Sequence, residues 1–132
     1  MVSTSAVIVA VLLGGVAVFQ FALAIGAPWG DHAFGGRAPT NRGRLPMTYR
    51  IMSGTAIPLL LLSGWVVLDR AGVTPGDGEP PGWVRGATWV VFVYLVTNTA
   101  ANLASSSKIE RFVMGSITTI AAVGTLIVAI GS

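Results

Sequence analysis

Four long stretches without a charged residue constrain this chain more than any other feature of its sequence. They cover residues 1–30, 51–68, 86–107 and 112–132, which are 30, 18, 22 and 21 residues long. A helix of about 20 apolar residues crosses the hydrocarbon core of a bilayer, and its backbone hydrogen bonds are satisfied internally. The sequence therefore predicts an all-α membrane protein, with four transmembrane helices in a single domain over residues 1–132.

Local signals indicate where these helices begin and end. Pro46 suits the first turn of the second helix, and the Pro/Gly-rich segment 71–82 is typical of a solvated loop before the third. Residues 22–24 (Ala-Leu-Ala) resemble a signal-peptide cleavage site, but no Lys or Arg precedes the first apolar run, which favours a retained helix. The predicted helices are residues 4–25, 47–68, 83–104 and 109–130, with a long polar loop between the first and second.

The composition narrows the possible partners. Hydrophobic residues make up 53% of the chain, charged residues 10%, and the mean hydropathy is +0.76, so membrane lipids are the predicted surroundings. With no cysteine and one histidine, neither a metal site nor a cofactor is predicted. The net charge of +3 comes from residues flanking the apolar runs rather than from a basic face, so nucleic acid is not a predicted partner.

The basic residues predict an orientation in the membrane. With four crossings, residues 26–50 and 104–111 share one side and contain six basic residues, against two on the other side, Arg70 and Arg85. The positive-inside rule then places the long loop in the cytoplasm and both termini outside. The six residues are Arg37, Arg42, Arg44, Arg50, Lys108 and Arg111.

The fourth predicted helix has one side made of small residues. They recur at steps of three and four, the spacing of one helix face. Such a face permits close approach of another helix, within the chain or in a homo-oligomer. The residues are Gly115, Thr118, Ala122, Thr125, Ala129 and Ser132.

Polar side chains within the predicted helices concentrate on the cytoplasmic side, beneath residues 26–46, here called the polar loop. At about 1.5 Å per residue, Asn98 lies about 15 Å and Asn102 about 9 Å from the end of their run at Lys108. Such groups join helices by hydrogen bonds or line a ligand cavity, and both interpretations remain open. The candidate ligand-binding residues of the helices are Gln20, Tyr49, Ser53, Asn98 and Asn102.

The polar loop and its flanks supply further candidates. Trp29, Arg37 and Arg50 complete the predicted ligand-binding set, because glycines beside arginines can form an anion-binding nest. A histidine near carboxylates can perform acid-base chemistry, which makes Asp31 and His32, with Glu110 on the same side, candidate catalytic residues. An ion pair between Arg50 and Glu110 is also compatible with their positions at helix ends.

Several sequence motifs, taken together, resemble those of a known protein family. GAPWG at 26–30, GG at 35–36, LP at 45–46, Arg50, Ser53 and NLASSSKIER at 102–111 stand in this order. The chain resembles a family of small, uncharacterised four-helix integral membrane proteins of bacteria. The resemblance implies a bacterial cytoplasmic membrane and a four-helix fold, but no activity.

Three functions are compatible with these observations. The first is binding or transport of a small amphiphile, lipid headgroup or anion in a polar cavity of the cytoplasmic half, where transport would require a homo-oligomer. The second is an intramembrane enzyme for a lipophilic substrate, with Asp31, His32 and Glu110 as acid-base groups. The third is an accessory subunit of a larger membrane complex, docked through small-residue faces.

Overall fold

The computed structural model describes residues 1–74 and 79–132. All secondary structure elements in these two ranges are helical, which confirms the predicted all-α chain with four long helices. Residues 75–78, part of the loop predicted at 71–82, lie outside the described residues. The helices are α1 (Val2–Ala24), α2 (Met47–Arg70), α3 (Gly82–Leu103) and α4 (Gly115–Gly131).

The fourth helix begins with an unusual turn. Glu110–Met114 is π-helical and leads directly into α4. Counting this turn with α4, every helix begins and ends within two residues of its predicted position. The polar loop contains two short 3-10 turns, Gly30–His32 and Phe34–Gly36.

Contacts between helix ends show that successive helices run in opposite directions. Trp83, at the start of α3, stacks on Trp65, near the end of α2, with ring centroids 6.3 Å apart. At the opposite end of α3, Leu103 lies against Gly115 at the start of α4. Helix α1 packs against both α2 and α4. The polar loop and the α3–α4 connection therefore lie at the same end of the bundle.

Three helices, Val2–Ala24, Met47–Arg70 and Glu110–Gly131, are long and apolar enough to cross a membrane. Helix α3 does not meet the same standard, although it has 22 residues. It contains Arg85, Asn98 and Asn102, which lower its mean hydropathy. By length and apolar character alone, three of the four helices are thus candidates to cross the membrane.

The bundle is apolar both inside and outside. Aliphatic side chains fill its centre, where Leu13, Val67 and Leu95 are at most 1% exposed. Large aliphatic side chains also cover the outer surface, as at Val18 and Ile130. An apolar exterior of this extent is unfavourable in water and suits a lipid environment.

The small face of α4 lies inside the bundle. Gly115, Thr118, Ala122, Thr125 and Ala129 are all buried. A Cβ built on the neighbouring Gly124 would lie only 2.7 Å from the Val9 side chain. In this chain the small residues therefore serve close packing between its own helices.

Two arginines hold the polar loop against the end of α1. The Nε of Arg50 donates to the carbonyl of Ala24 at 3.0 Å, and that of Arg44 to the carbonyl of Gly26 at 2.9 Å. The last carbonyls of a helix have no partner within the helix. These contacts satisfy two carbonyls where α1 ends and fix the path of the chain into the loop.

Candidate ligand-binding cavity

A cavity of about 310 Å³ lies beneath the polar loop, between all four helices. This volume is at the lower end of small-molecule sites. Its deeper wall is aliphatic and includes Leu13, Val16, Leu60 and Leu95. The remaining wall is rich in hydrogen-bonding groups, so the cavity is amphipathic. The polar lining residues are Gln20, His32, Tyr94, Asn98, Asn102, Glu110 and Thr118.

The turn Phe34–Gly36 forms the roof of this cavity and is bonded to the α3–α4 connection. The carbonyl of Gly35 accepts two hydrogen bonds from Ser106, from its amide at 3.1 Å and from its hydroxyl at 3.0 Å. The Gly35 amide donates to Oε1 of Glu110 at 2.9 Å. Segments about 70 positions apart in the chain are thereby joined above the cavity.

The backbone of this turn restricts which residues can form it. Phe34, Gly35 and Gly36 have backbone φ values of 51°, 75° and 72°. Residues other than glycine rarely adopt such positive values. At Gly36 there is also no room, because a Cβ would lie 2.5 Å from the Ser106 hydroxyl and 2.9 Å from the Ser107 amide. The close contact between the loop and the connection therefore requires glycine at position 36, whereas at position 35 glycine is favoured by the backbone conformation alone.

His32 makes a second link between the same two segments. Its Nδ1 lies 3.0 Å from the hydroxyl of Ser107, which also accepts from the Glu110 amide at 3.3 Å. The ring of His32 lines the cavity as well. This histidine therefore has a defined position beside Glu110 rather than being a free surface group.

Glu110 is the charged residue of the cavity wall. It is the first residue of the π-helical turn and is only 7% exposed. Turns of this kind occur often at functional sites. The one hydrogen bond to its carboxylate from the described residues comes from the Gly35 amide. Buried ionisable groups within membrane proteins often mark binding or transport sites.

The ion pair considered between Arg50 and Glu110 does not form. Arg50 donates to the end of α1 instead. The neighbouring Arg111 donates through Nε and Nη2 to the Ser105 carbonyl, at 3.1 and 2.7 Å. Both guanidinium groups satisfy backbone carbonyls at chain turns, so the Glu110 carboxylate has no basic partner within the described residues.

The amides of the wall are bonded in different ways. Asn98 donates from Nδ2 to the carbonyl of Tyr94, one turn earlier in its own helix, at 3.0 Å. Asn102 donates to the hydroxyl of Thr118 in α4, at 3.3 Å. The Oε1 atom of Gln20 is buried and has no partner among the described residues. Of the three, Asn102 alone bonds a side chain of another helix.

The cavity thus brings together five of the predicted site residues, and the other six lie outside it. Asp31 accepts from the hydroxyl of Thr40 at 2.9 Å on the exposed surface. Trp29 stacks on Phe19 and Arg37 is exposed. The five that line the cavity are Gln20, His32, Asn98, Asn102 and Glu110, and the remaining three outside it are Tyr49, Arg50 and Ser53.

Three residues at or beside the cavity were not among the predicted site residues. Tyr94 stands one turn before Asn98 on the polar face of α3, so its spacing was a usable signal. Ser107 and Gly35 act through contacts between distant segments, which no local pattern reveals. The described residues contain no group of three or more His, Cys, Asp or Glu side chains arranged to hold a metal ion.

Comparisons of the chain with protein-family models, curated proteins and solved structures give no match. The cavity itself is therefore the feature that indicates a function.

Proposed function

We propose that this chain is an integral membrane protein that binds a small amphiphilic molecule, such as a lipid with its headgroup, in the cavity beneath the polar loop. The supporting observation is the cavity, whose deeper wall is aliphatic and whose opposite wall carries amides and a buried carboxylate. A molecule with one polar and one apolar end matches both walls.

The alternative that these polar groups merely join helices explains only part of the wall. The bond from Asn102 to Thr118 does connect α3 with α4. Asn98 bonds only its own helix, and the Oε1 atom of Gln20 bonds nothing among the described residues. Burying a polar group without a partner costs free energy, so a bound ligand is the better explanation for the buried Gln20 oxygen, and the Oδ1 atom of Asn98 lies in the same cavity wall.

The proposal includes α3 as a fourth membrane crossing. This helix runs antiparallel to its neighbours, from Trp83 beside the end of α2 to Leu103 beside the start of α4. Its asparagines face the cavity, and polar residues in membrane helices are usually directed toward the bundle interior. A helix with this face can cross the membrane although its mean hydropathy is lower.

The proposal also includes an orientation and a location. The polar loop and the α3–α4 connection meet at one end of the bundle and carry most of the basic residues. The positive-inside rule then favours a cytoplasmic site with both termini outside. The resemblance of the loop motifs supports the cytoplasmic membrane of a bacterium as the location.

Retention of a ligand through purification tests the binding function. Native mass spectrometry from mild detergent should detect a bound small molecule on the wild-type protein, and it reports any oligomer in the same spectrum. Asn98→Leu should abolish that retention while the melting temperature stays equal or rises, because the Asn98 amide bonds only a carbonyl of its own helix and its Oδ1 atom accepts no hydrogen bond from the described residues. The matched control is Thr97→Leu, since Thr97 is the neighbouring residue on the exposed side of α3.

Equal retention by both variants would contradict the binding function and leave the accessory-subunit hypothesis as the better one. Loss of retention in both variants, together with a lowered melting temperature, would indicate a general folding defect rather than a site.

An enzymatic function is the second candidate, and one contact favours it. His32 is held by Ser107 beside Glu110 in the same cavity, so a base and an acid adjoin the space for a substrate. Asp31 is not a catalytic group in this proposed enzymatic function, because it lies outside the cavity. Conversion of the retained molecule by wild-type protein but not by His32→Ala would distinguish catalysis from binding.

A further inference from the structure

The amide oxygens of the cavity wall accept no hydrogen bond from the described residues. Asn98 uses Nδ2 to bond the carbonyl of Tyr94, and only the nitrogen can donate to a carbonyl. Thr118 gives its hydroxyl proton to the carbonyl of Met114 at 3.0 Å, so it accepts from Nδ2 of Asn102. The carbonyl partner fixes the assignment of Asn98, and the assignment of Asn102 follows from the hydrogen bond of Thr118 to its own helix. The Oδ1 atoms of Asn98 and Asn102 accept no hydrogen bond from the described residues.

The charged and ionisable groups of the cavity wall also favour a ligand that donates hydrogen bonds. Glu110 contributes a carboxylate with one hydrogen bond, and the buried Oε1 of Gln20 has none among the described residues. Neither Lys nor Arg is among the residues that line the cavity. His32 and Tyr94 can donate or accept, but neither supplies the fixed positive charge an anion requires. The wall therefore offers a carboxylate and three amide oxygens, with no Lys or Arg beside them, to a ligand that is positively charged and donates hydrogen bonds.

An apolar groove adjoins the cavity on the outer surface, between α2 and α3. Its volume is about 350 Å³, and Tyr94 is part of the wall of both spaces. Among the described residues that line the groove, Ser63 has the one hydroxyl besides that of Tyr94. It donates to the Leu59 carbonyl at 2.7 Å and is not available to a ligand. The other side chains are apolar, among them Leu62, Val66, Trp83, Val90 and Val91.

The groove has the direction expected of a lipid chain. From Tyr94 it extends toward Trp83, about 16 Å along α3 at the rise of an α-helix. The cavity extends from Tyr94 the opposite way, toward the polar loop. A molecule with its head beneath the loop would therefore place its chain along the outer surface, on the side away from the loop.

We propose that the ligand is a single-chain amphiphile with an amine head group. The ammonium group occupies the cavity against Glu110 and the amide oxygens, and the hydrocarbon chain lies in the α2–α3 groove, the two parts meeting at Tyr94. This inference rests on the proposed binding function and specifies its ligand class. A ligand with a carboxylate or phosphate head is disfavoured because it would face the Glu110 carboxylate with no compensating cation.

Four simple compounds test the inference on the purified full-length protein. Dodecylamine, dodecanol and dodecanoate share a chain length and differ in the head, while butylamine has the same head and a short chain. Native mass spectrometry after equilibration in mild detergent gives the bound fraction of each. Dodecylamine should bind at least about tenfold more tightly than dodecanol, since hydrogen bonds to a charged group are the stronger kind. Dodecanoate should bind most weakly of the three long-chain compounds.

Two variants locate the head and the chain. Glu110→Gln keeps an oxygen that can accept from the Gly35 amide but removes the charge, so its affinity for dodecylamine should fall to that for dodecanol. The control Glu79→Gln removes an exposed carboxylate and should change nothing. Ala87→Trp fills the groove, so it should weaken the binding of dodecylamine but not that of butylamine. The exposed Gly86, with open space around it, provides the matched control Gly86→Trp.

The experiments distinguish a wrong head group, a wrong position of the chain and the absence of binding. Equal or tighter binding of dodecanoate, or unchanged binding by Glu110→Gln, would overturn the assignment of the head group. Unchanged dodecylamine binding by Ala87→Trp would overturn the position of the chain. If dodecanol is still retained in either case, the proposed binding function stands. Retention of none of the long-chain compounds would overturn both proposals.

Discussion

Single residues decide how the polar loop closes over the cavity. Gly35 and Gly36 both have left-handed backbone conformations, yet their surroundings differ. A Cβ at Gly35 would meet nothing within 4 Å, whereas one at Gly36 would clash with Ser106 and Ser107. The sequence shows a GG pair, but only the contact between distant segments separates the two glycines by role.

This difference predicts unequal effects of the same substitution. Gly35→Ala should lower stability by about 1–2 kcal/mol, the conformational cost of a Cβ in the left-handed region. Gly36→Ala should cost about 1–3 kcal/mol more, because the connection must also move. Melting temperatures measured in one detergent would compare the two variants. Equal losses would mean that the loop does not contact the connection as described.

Among the helices, the small face of α4 was predicted from spacing to pack against another helix; five of its six residues are buried, and Ser132, the last, is exposed. The spacing left open whether the partner is another helix of this chain or a second copy. The structure provides an internal partner, since Gly124 packs on Val9 of α1 and Gly115 on Leu103 of α3. The π-helical turn at Glu110 had no signal in the sequence.

Substitutions at adjacent positions test the packing of α4. Ala122 is 6% exposed and Val123 is 53% exposed, so leucine should be tolerated at Val123 and poorly tolerated at Ala122. Overpacking at Ala122 typically costs about 1–3 kcal/mol. The fraction of protein that elutes as a single species from size-exclusion chromatography, together with its melting temperature, would report the effect. Similar behaviour of Ala122→Leu and Val123→Leu would place this face toward lipid instead.

At the scale of the whole molecule, the proposed orientation rests on the asymmetry of basic residues. The chain has no cysteine, so single cysteines can be introduced without background. Glu79→Cys and Pro39→Cys place a thiol at exposed positions of opposite ends. In intact cells, an impermeant maleimide should label the cysteine at 79 and leave that at 39 unlabelled until the cells are lysed. Labelling in the reverse pattern would invert the orientation and place the cavity on the outer side.

Local sequence patterns were sufficient to predict the helical class, the helix ends and the half of the bundle in which the polar side chains lie. These properties follow from local patterns, because the length of an apolar run and the spacing of small or polar residues are read along one segment. Gln20, Asn98 and Asn102 could for this reason be assigned to one half of the bundle before their neighbours were known.

Which of these residues share a cavity could not be predicted from local patterns and is seen in the packed bundle. His32 and Glu110 line it, while Asp31, adjacent to His32 in sequence, bonds Thr40 on the surface. Arg50 satisfies the end of α1 rather than pairing with Glu110. The physical reason is that side-chain direction and hydrogen-bond partners depend on contacts between segments about 70 positions apart, whose relative placement is set by packing of the whole bundle.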